Sequence, residues 1–239
     1  MSDEVILSEK NGILSLHLGN DIIQSAMSLK DPSQLVLSYS QAMVASLLFL
    51  DQFTFVVHLG LGAGSLVRWF DTFFPEVKQI AVEINPKIIG IARSMFQLNQ
   101  TSKIVDIILD DAFNWLPKQK SDQFDLILVD IFDADGMLPQ FVSVDFFDYC
   151  LQKLTPQGSV VFNWWQGYPY YSKNLQDLRQ VFKNEIVTCP ATTYGNIAVM
   201  GFKRKLPSCS KKVLRAKANH LKQKTNVNFS QLLSLIEIK

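Results

Sequence analysis

Apolar and polar positions change their period near residue 53. Before it, the chain alternates in short runs. Glu4–Ser8 and Ile13–Leu18 flank the turn Lys10-Asn-Gly12, and Asn-Gly between two alternating runs is a strong hairpin signal. Gly19-Asn-Asp21 makes a second turn, Ile22–Leu29 a third strand, and Asp31-Pro-Ser33 closes this small antiparallel module. Leu35–Leu50 reads as one helix, with Ser38 or Ser40 as its cap and Met43, Leu47, Leu48 and Phe49 as its apolar contacts.

From Phe53 onward, continuous apolar runs alternate with helical periods. Phe53–Leu59 enters the turn Gly60-Leu-Gly-Ala-Gly64, and Leu66–Phe70 opens a helix. Val77–Glu83 is a second strand, and Asn85-Pro86 starts a helix through Met95, with proline where a helix start tolerates it. Ile104–Leu109, a short helix Phe113–Leu116 and the strand Phe124–Asp130 follow. A loop over Asp133–Gln140 leads to the helix Val144–Leu154, the strand Gly158–Asn163 and the helix Leu175–Phe182. Glu185–Cys189 and Ile197–Phe202 form a hairpin around Tyr194-Gly-Asn196. This alternation predicts an α/β doubly wound sheet with its ligand at the carboxyl edge of the strands. Lys211–Lys222 and Phe229–Ile238 are helix candidates in the tail. The expected organisation is a β-hairpin module over 1–34, an α/β domain over 35–205 and a basic helical tail over 206–239 packed on it.

Composition narrows the class. Of 239 residues, 48% are hydrophobic and 19% charged, which suits a globular chain and excludes a disordered one. The longest apolar runs fall far short of a bilayer span. The first residues lack a basic stretch followed by an apolar one, so no secretory leader is expected. Cys150, Cys189 and Cys209 are widely spaced; they make no metal motif and suit a reducing cytoplasm. The net charge of +1 is uneven: residues 201–239 hold ten Lys/Arg against Glu237 alone. Within it, the helix candidate Lys211–Lys222 has no aromatic for base stacking, so a solvated face is expected rather than a nucleic-acid surface. Residues 121–150 hold seven aspartates and no Lys or Arg. These are either solvated loop acids or a cleft whose field draws a cationic substrate.

Four features at successive strand ends carry the candidate chemistry. Gly60, Gly62 and Gly64 follow the first long strand; Glu83 ends the second; Asp111-Ala112 follows the third; Asp130 ends the fourth. A glycine turn lets backbone approach a ligand closely. Glu83 can accept two hydroxyl hydrogen bonds from a ribose. Asp111 can accept from an adenine amino group, with small Ala112 leaving room for the ring. An NAD site competes, because an acid after the second strand suits its ribose too. However, Ser65 occupies the last glycine of G-x-G-x-x-G, and an adenine-reading acid after the third strand fits S-adenosylmethionine (AdoMet) ligands better. Asp130 then lies where a reacting amine would sit, and a carboxylate there can orient the ammonium and take its proton. Asp133 and Asp135 are either part of that site or turn residues before Gly136.

These motifs resemble the spermidine synthase (polyamine aminopropyltransferase) family, in its short bacterial branch. The likeness includes Ile23-Gln24, Tyr39-Ser-Gln-Ala-Met43, the glycine turn, Ala81-Val-Glu-Ile-Asn-Pro86, Asp110-Asp-Ala112, Val129-Asp-Ile-Phe-Asp133 and Thr192-Thr-Tyr-Gly-Asn196. The resemblance implies a small β domain on a Rossmann-like, AdoMet-methyltransferase-type domain, often dimeric and cytoplasmic. It implies decarboxylated AdoMet as donor, a small cationic amine such as putrescine as acceptor, and no metal. On it, Gln24 contacts the donor, Glu83 its ribose and Asp111 its adenine. Asp130 receives the amine proton, and Asp133, Gln41 and Tyr194 line the amine side. The chain departs from the family pattern at Ala63, where an aspartate is usual that holds the aminopropyl ammonium and repels the carboxylate of ordinary AdoMet. A second departure lies in the last hairpin, where Thr192 or Thr193 falls at the acceptor-site tyrosine. Two other readings stay open: an AdoMet-dependent methyltransferase on the same scaffold, and a catalytically degenerate ligand-binding protein.

Overall fold

The computed structural model describes residues 4–19, 21–100, 105–133, 136–193, 195–206 and 210–238. Tyr194, Asp135 and Cys209 therefore lie outside the described residues, as does the side chain of Asp133. The strands β1 (Val5–Lys10), β2 (Ile13–Leu18) and β3 (Ile23–Ser28) form an antiparallel sheet. Its first turn is the expected Asn11-Gly12, both at positive φ, as the primed hairpin turn requires.

The main sheet contains β4 (Phe55–Leu59), β5 (Lys78–Glu83), β6 (Val105–Leu109), β7 (Phe124–Val129), β10 (Leu154–Trp165), β11 (Ile186–Pro190), β12 (Asn196–Phe202) and β13 (Glu237–Ile238). Its order is β13-β11-β12-β10-β7-β4-β5-β6. The five strands from β10 to β6 are parallel, and β12, β11 and β13 extend the sheet antiparallel. A two-residue pair, β8 (Phe132–Asp133) with β9 (Gly136–Met137), sits in the segment expected as a loop. The helices are α1 (Ser38–Met43), α2 (Ser65–Phe73), α3 (Pro86–Met95), α4 (Ala112–Trp115), α5 (Val144–Lys153), α6 (Tyr171–Val181), α7 (Lys211–Lys224) and α8 (Phe229–Leu235). Apolar cores fill both faces of the sheet. Val56, Leu126 and Leu128 join α2, α7 and α8 on one face; Val57, Leu59 and Ile127 join α5 and α6 on the other.

Some elements differ from expectation, for physical reasons. The helix expected over Leu35–Leu50 is α only to Met43 and continues as a 3₁₀ helix over Val44–Leu48. Every residue of that 3₁₀ segment is buried, so it has no polar face to hold an α period, and tertiary packing sets its geometry. Its exit carbonyls are met from the basic tail side: Arg204 donates to Phe49 O at 2.7 Å, and Lys217 Nζ donates to Leu50 O. β10 starts at Leu154 directly after α5, because Leu154 pairs with Phe124 before the register shift ahead of Ser159. α6 starts at Tyr171 rather than Leu175. The last helix stops at Leu235, and Glu237–Ile238 leave it to pair with β11. Among the described residues no helix is long and apolar enough to cross a membrane.

Candidate functional site

The strand order β7-β4-β5-β6 brings the four strand-end features side by side. The Gly60 N–H donates to Val82 O and the Asp130 N–H to Leu59 O, each at 2.9 Å, so the three middle strands end in register. Gly60 has φ +91°, and a Cβ there would lie 2.1 Å from the Asp130 carbonyl oxygen. Only glycine fits so tight a junction at that dihedral. Gly64, at φ +72°, is the left-handed residue that caps α2.

A cleft of about 310 Å³ opens at this edge between the main sheet and the small one. Gln24, Gly60, Gly62, Glu83, Asp111, Ala112 and Asp130 all line it, as the strand-end argument expected. Gly64 and Gln41 are not among its lining residues. Gly64 turns instead toward Leu98, and the Gln41 amide donates to Leu35 O at 2.7 Å. Asp133 pairs through its backbone with Gly136 just beyond β7. Among the described residues the lining holds three carboxylates and no Lys or Arg, an environment suited to a cationic ligand.

Each carboxylate is held differently. Glu83 accepts from the Leu61 N–H at 3.1 Å and the Asn85 N–H at 2.9 Å, which tethers the glycine turn to the end of β5. Burial raises its pKa, and its backbone hydrogen bonds work against that rise. Asp111 caps α4: it accepts from the Phe113 N–H at 3.0 Å and from the Asn114 amide at 2.7 Å. The helix-cap role is therefore real, and the same side chain also faces the cleft. Asp130 is half-buried in the cleft wall. Burial pushes its pKa up to about 6, against the opposing pull of the Asn163 amide and the Tyr39 hydroxyl.

Asn163 and Ser25 lie outside the sequence motifs, and Tyr39 lies in one that assigned it no role. Asn163 donates to Asp130 at 2.9 Å, and its own oxygen accepts from Asn196 at 3.0 Å, which fixes the amide orientation. The available signal was a polar residue ending the apolar run Val160-Val-Phe162 of a central strand. Tyr39 donates its hydroxyl hydrogen to Gln24 O at 2.8 Å and stands beside Asp130; burial, and then the charge of Asp130, raise its pKa. Ser25 lines the cleft one residue after Gln24.

The glycine turn is clamped from behind. Arg68, on α2, donates to Ala63 O, to Phe96 O at 2.9 Å and to Pro32 O at 3.2 Å. Phe96 caps the C-terminal end of α3, where carbonyls favour a cation. Burial lowers the Arg68 pKa to about 10, so it stays charged. Arg68→Met is expected to leave these carbonyls without a donor and to cost about 2–5 kcal/mol of stability, read as a lowered urea midpoint. Ala63 itself is fully buried among Leu16, Met27, Ile88 and Phe96. It joins the small sheet to α3 and does not line the cleft.

Comparison with known proteins agrees with this geometry. A model of the spermine/spermidine synthase domain matches residues 39–216. A polyamine aminopropyltransferase of Chromobacterium violaceum is 38% identical over 235 residues, covering 98% of this chain and 89% of that one. Among solved structures, a probable spermidine synthase from Corynebacterium glutamicum superposes with a TM-score of 0.78 at 22% identity, covering 91% of this chain and 83% of that one. Human methyltransferase-like protein 13, in complex with SAH, superposes at 0.71 and 20% identity, over 78% of this chain and 91% of that one. The fold is thus the Rossmann-like methyltransferase type, with an added N-terminal antiparallel sheet and C-terminal helices. With its domain model spanning most of the sequence and a relative aligned almost end to end, the chain belongs to the spermine/spermidine synthase family.

Proposed function

We propose that the chain is a polyamine aminopropyltransferase that takes decarboxylated AdoMet as donor and a small amine such as putrescine as acceptor. One observation carries the reading: a half-buried carboxylate of raised pKa, Asp130, stands with the glycine turn, Glu83 and Asp111 in a cleft lined by no Lys or Arg among the described residues. Glu83 has acceptor capacity left for ribose hydroxyls, and Asp111 has it for an adenine amino group. Gln24 and the Gly60–Gly62 backbone border the same space. When bound, such a donor supplies a carbon activated by sulfonium, and its sulfur keeps the bonding pair as the C–S bond breaks. Asp130 attracts the acceptor's ammonium group and takes one proton from it. The freed nitrogen lone pair then forms the new N–C bond. Asp133 and Tyr194 are proposed as further amine contacts on the sequence motif alone, and a homodimer on the family resemblance; Gln41, whose amide is turned to Leu35 O, is not.

The pH dependence follows from Asp130. Below its pKa the carboxyl is protonated and accepts nothing. The rate of transfer is therefore expected to fall about tenfold per unit as pH drops below about 6. A kcat profile from pH 5 to 9 checks this; a flat profile through pH 5 contradicts it.

The burial of Ala63 favours a second reading, AdoMet-dependent methyl transfer. No carboxylate stands at that point of the turn to repel the donor's own carboxylate. Calorimetric titration with decarboxylated AdoMet, AdoMet and methylthioadenosine separates the two. The aminopropyl reading expects decarboxylated AdoMet to bind more tightly than AdoMet. The reverse order favours methyl transfer, and binding of none excludes both.

A further inference from the structure

A second chamber of about 20 Å³ adjoins the cleft and shares Ser25, Tyr39, Gly60 and Asp130 with its lining. Its polar lining is Ser25, Tyr39, Ser40, His58, Ser65 and Asp130. His58 pairs across to Leu128, so His58 and Asp130 share one face of the sheet as diagonal neighbours. His58 is 2% exposed, and its Nε2–H donates to Gln79 Oε1 at 2.9 Å. That bond places the proton on Nε2 and leaves Nδ1 an acceptor. Nδ1 is buried without a partner.

Three of the four hydroxyl hydrogens around the chamber are committed elsewhere: Tyr39 donates to Gln24 O, Ser40 to Leu37 O and Ser65 to Ala26 O, while Ser25 Oγ lies 3.4 Å from Ser65 Oγ. What these groups turn toward the chamber is acceptor capacity, and the Asp130 carboxylate adds more. A space of this size holds one water molecule when two to four polar partners surround it, and a water brings the two hydrogens these acceptors lack.

We propose that the chamber binds one ordered water that donates to His58 Nδ1 and to the Asp130 carboxylate, making His58 a positioning residue for Asp130. The water stabilises the ionised carboxylate from the small chamber and leaves the larger cleft to the amine. His58 stays neutral through this, because burial pushes its pKa down to about 4. Tyr39 from α1, His58 from β4 and Asn163 from β10 face Asp130, and Glu83 and Asp111 stand across the cleft. The consequence for catalysis rests on Asp130 being the proton acceptor of the proposed transfer; the water site does not.

Two measurements that need no turnover test it. A high-resolution crystal structure of the unaltered protein is expected to contain one water within hydrogen-bond distance of His58 Nδ1 and Asp130. An empty chamber, or density that refines as a metal ion, overturns the proposal. Carboxyl ¹³C NMR then follows the titration of Asp130 in folded variants. His58→Phe removes the acceptor that anchors the water, and the Asp130 midpoint is expected to rise by about 0.5–1 pH unit. His58→Asn puts an amide oxygen near the place of Nδ1 and is expected to keep the original midpoint. An unshifted midpoint in a folded His58→Phe protein also overturns the proposal.

Discussion

Asp130→Asn is expected to lower kcat for aminopropyl transfer by about 10²–10⁴-fold while leaving donor affinity within a few-fold. Asparagine keeps the volume and an oxygen for the Asn163 amide, which now donates to Asp130 at 2.9 Å. It loses the ability to take a proton and the charge that holds an ammonium group. The affinity half of the prediction follows from position, because the groups assigned to the nucleoside, Glu83 and Asp111, are on other strands. The variant is also expected to be no less stable at pH 8. The folded-state pKa of Asp130 is raised to about 6, above its unfolded value. Its contribution to stability is therefore fully present below about pH 4 and lost as pH rises through about 6. A neutral asparagine avoids that loss. Single-turnover rates, donor titration and urea denaturation at pH 8 together read all three expectations. A collapse of donor affinity with normal turnover of bound donor would argue against the role of base.

Gly60→Ala is the most damaging single-methyl change at the site. The new Cβ would sit 2.1 Å from a backbone oxygen of the neighbouring strand and be held at φ +91°. Neither atom is the end of a flexible side chain, so relief requires β4 and β7 to separate where they deliver Gly60 and Asp130. Dihedral strain and overpacking together cost about 2–6 kcal/mol. The variant is expected to melt earlier and, where folded, to bind methylthioadenosine weakly. Gly12→Ala is an internal control: it also has positive φ, but a Cβ there meets nothing within 4 Å. It should lose stability through the dihedral alone and keep its ligand affinity. Equal loss of affinity in both variants would contradict the account.

The parallel core was legible because strands carry continuous apolar runs such as Leu126–Val129 between turns. The site's strand-end acids were legible for a related reason. In a parallel sheet every carboxyl end meets the same edge, so sequence order alone predicts that Glu83, Asp111 and Asp130 converge. What remained hidden depended on three-dimensional enclosure. The 3₁₀ segment Val44–Leu48 is buried all round, so no amphipathic period marked where the α-helix ended. Asn163 and Asn196 approach Asp130 through sheet pairing between strands far apart in sequence. Asp111 is both cap and cleft residue, and local sequence cannot choose between two roles that one side chain fills together. Gln41 lies in the motif beside Tyr39, yet only Tyr39 faces the cleft.

The central claim is that the carboxylate-lined cleft at Asp130 moves an aminopropyl group onto an amine. Mass spectrometry of the products formed from putrescine with decarboxylated AdoMet, and separately with AdoMet, tests it most directly. The account predicts spermidine and methylthioadenosine in equal amounts from the decarboxylated donor, and no methylated amine from AdoMet. Methylated product and S-adenosylhomocysteine from AdoMet, with no spermidine from the decarboxylated donor, would contradict it.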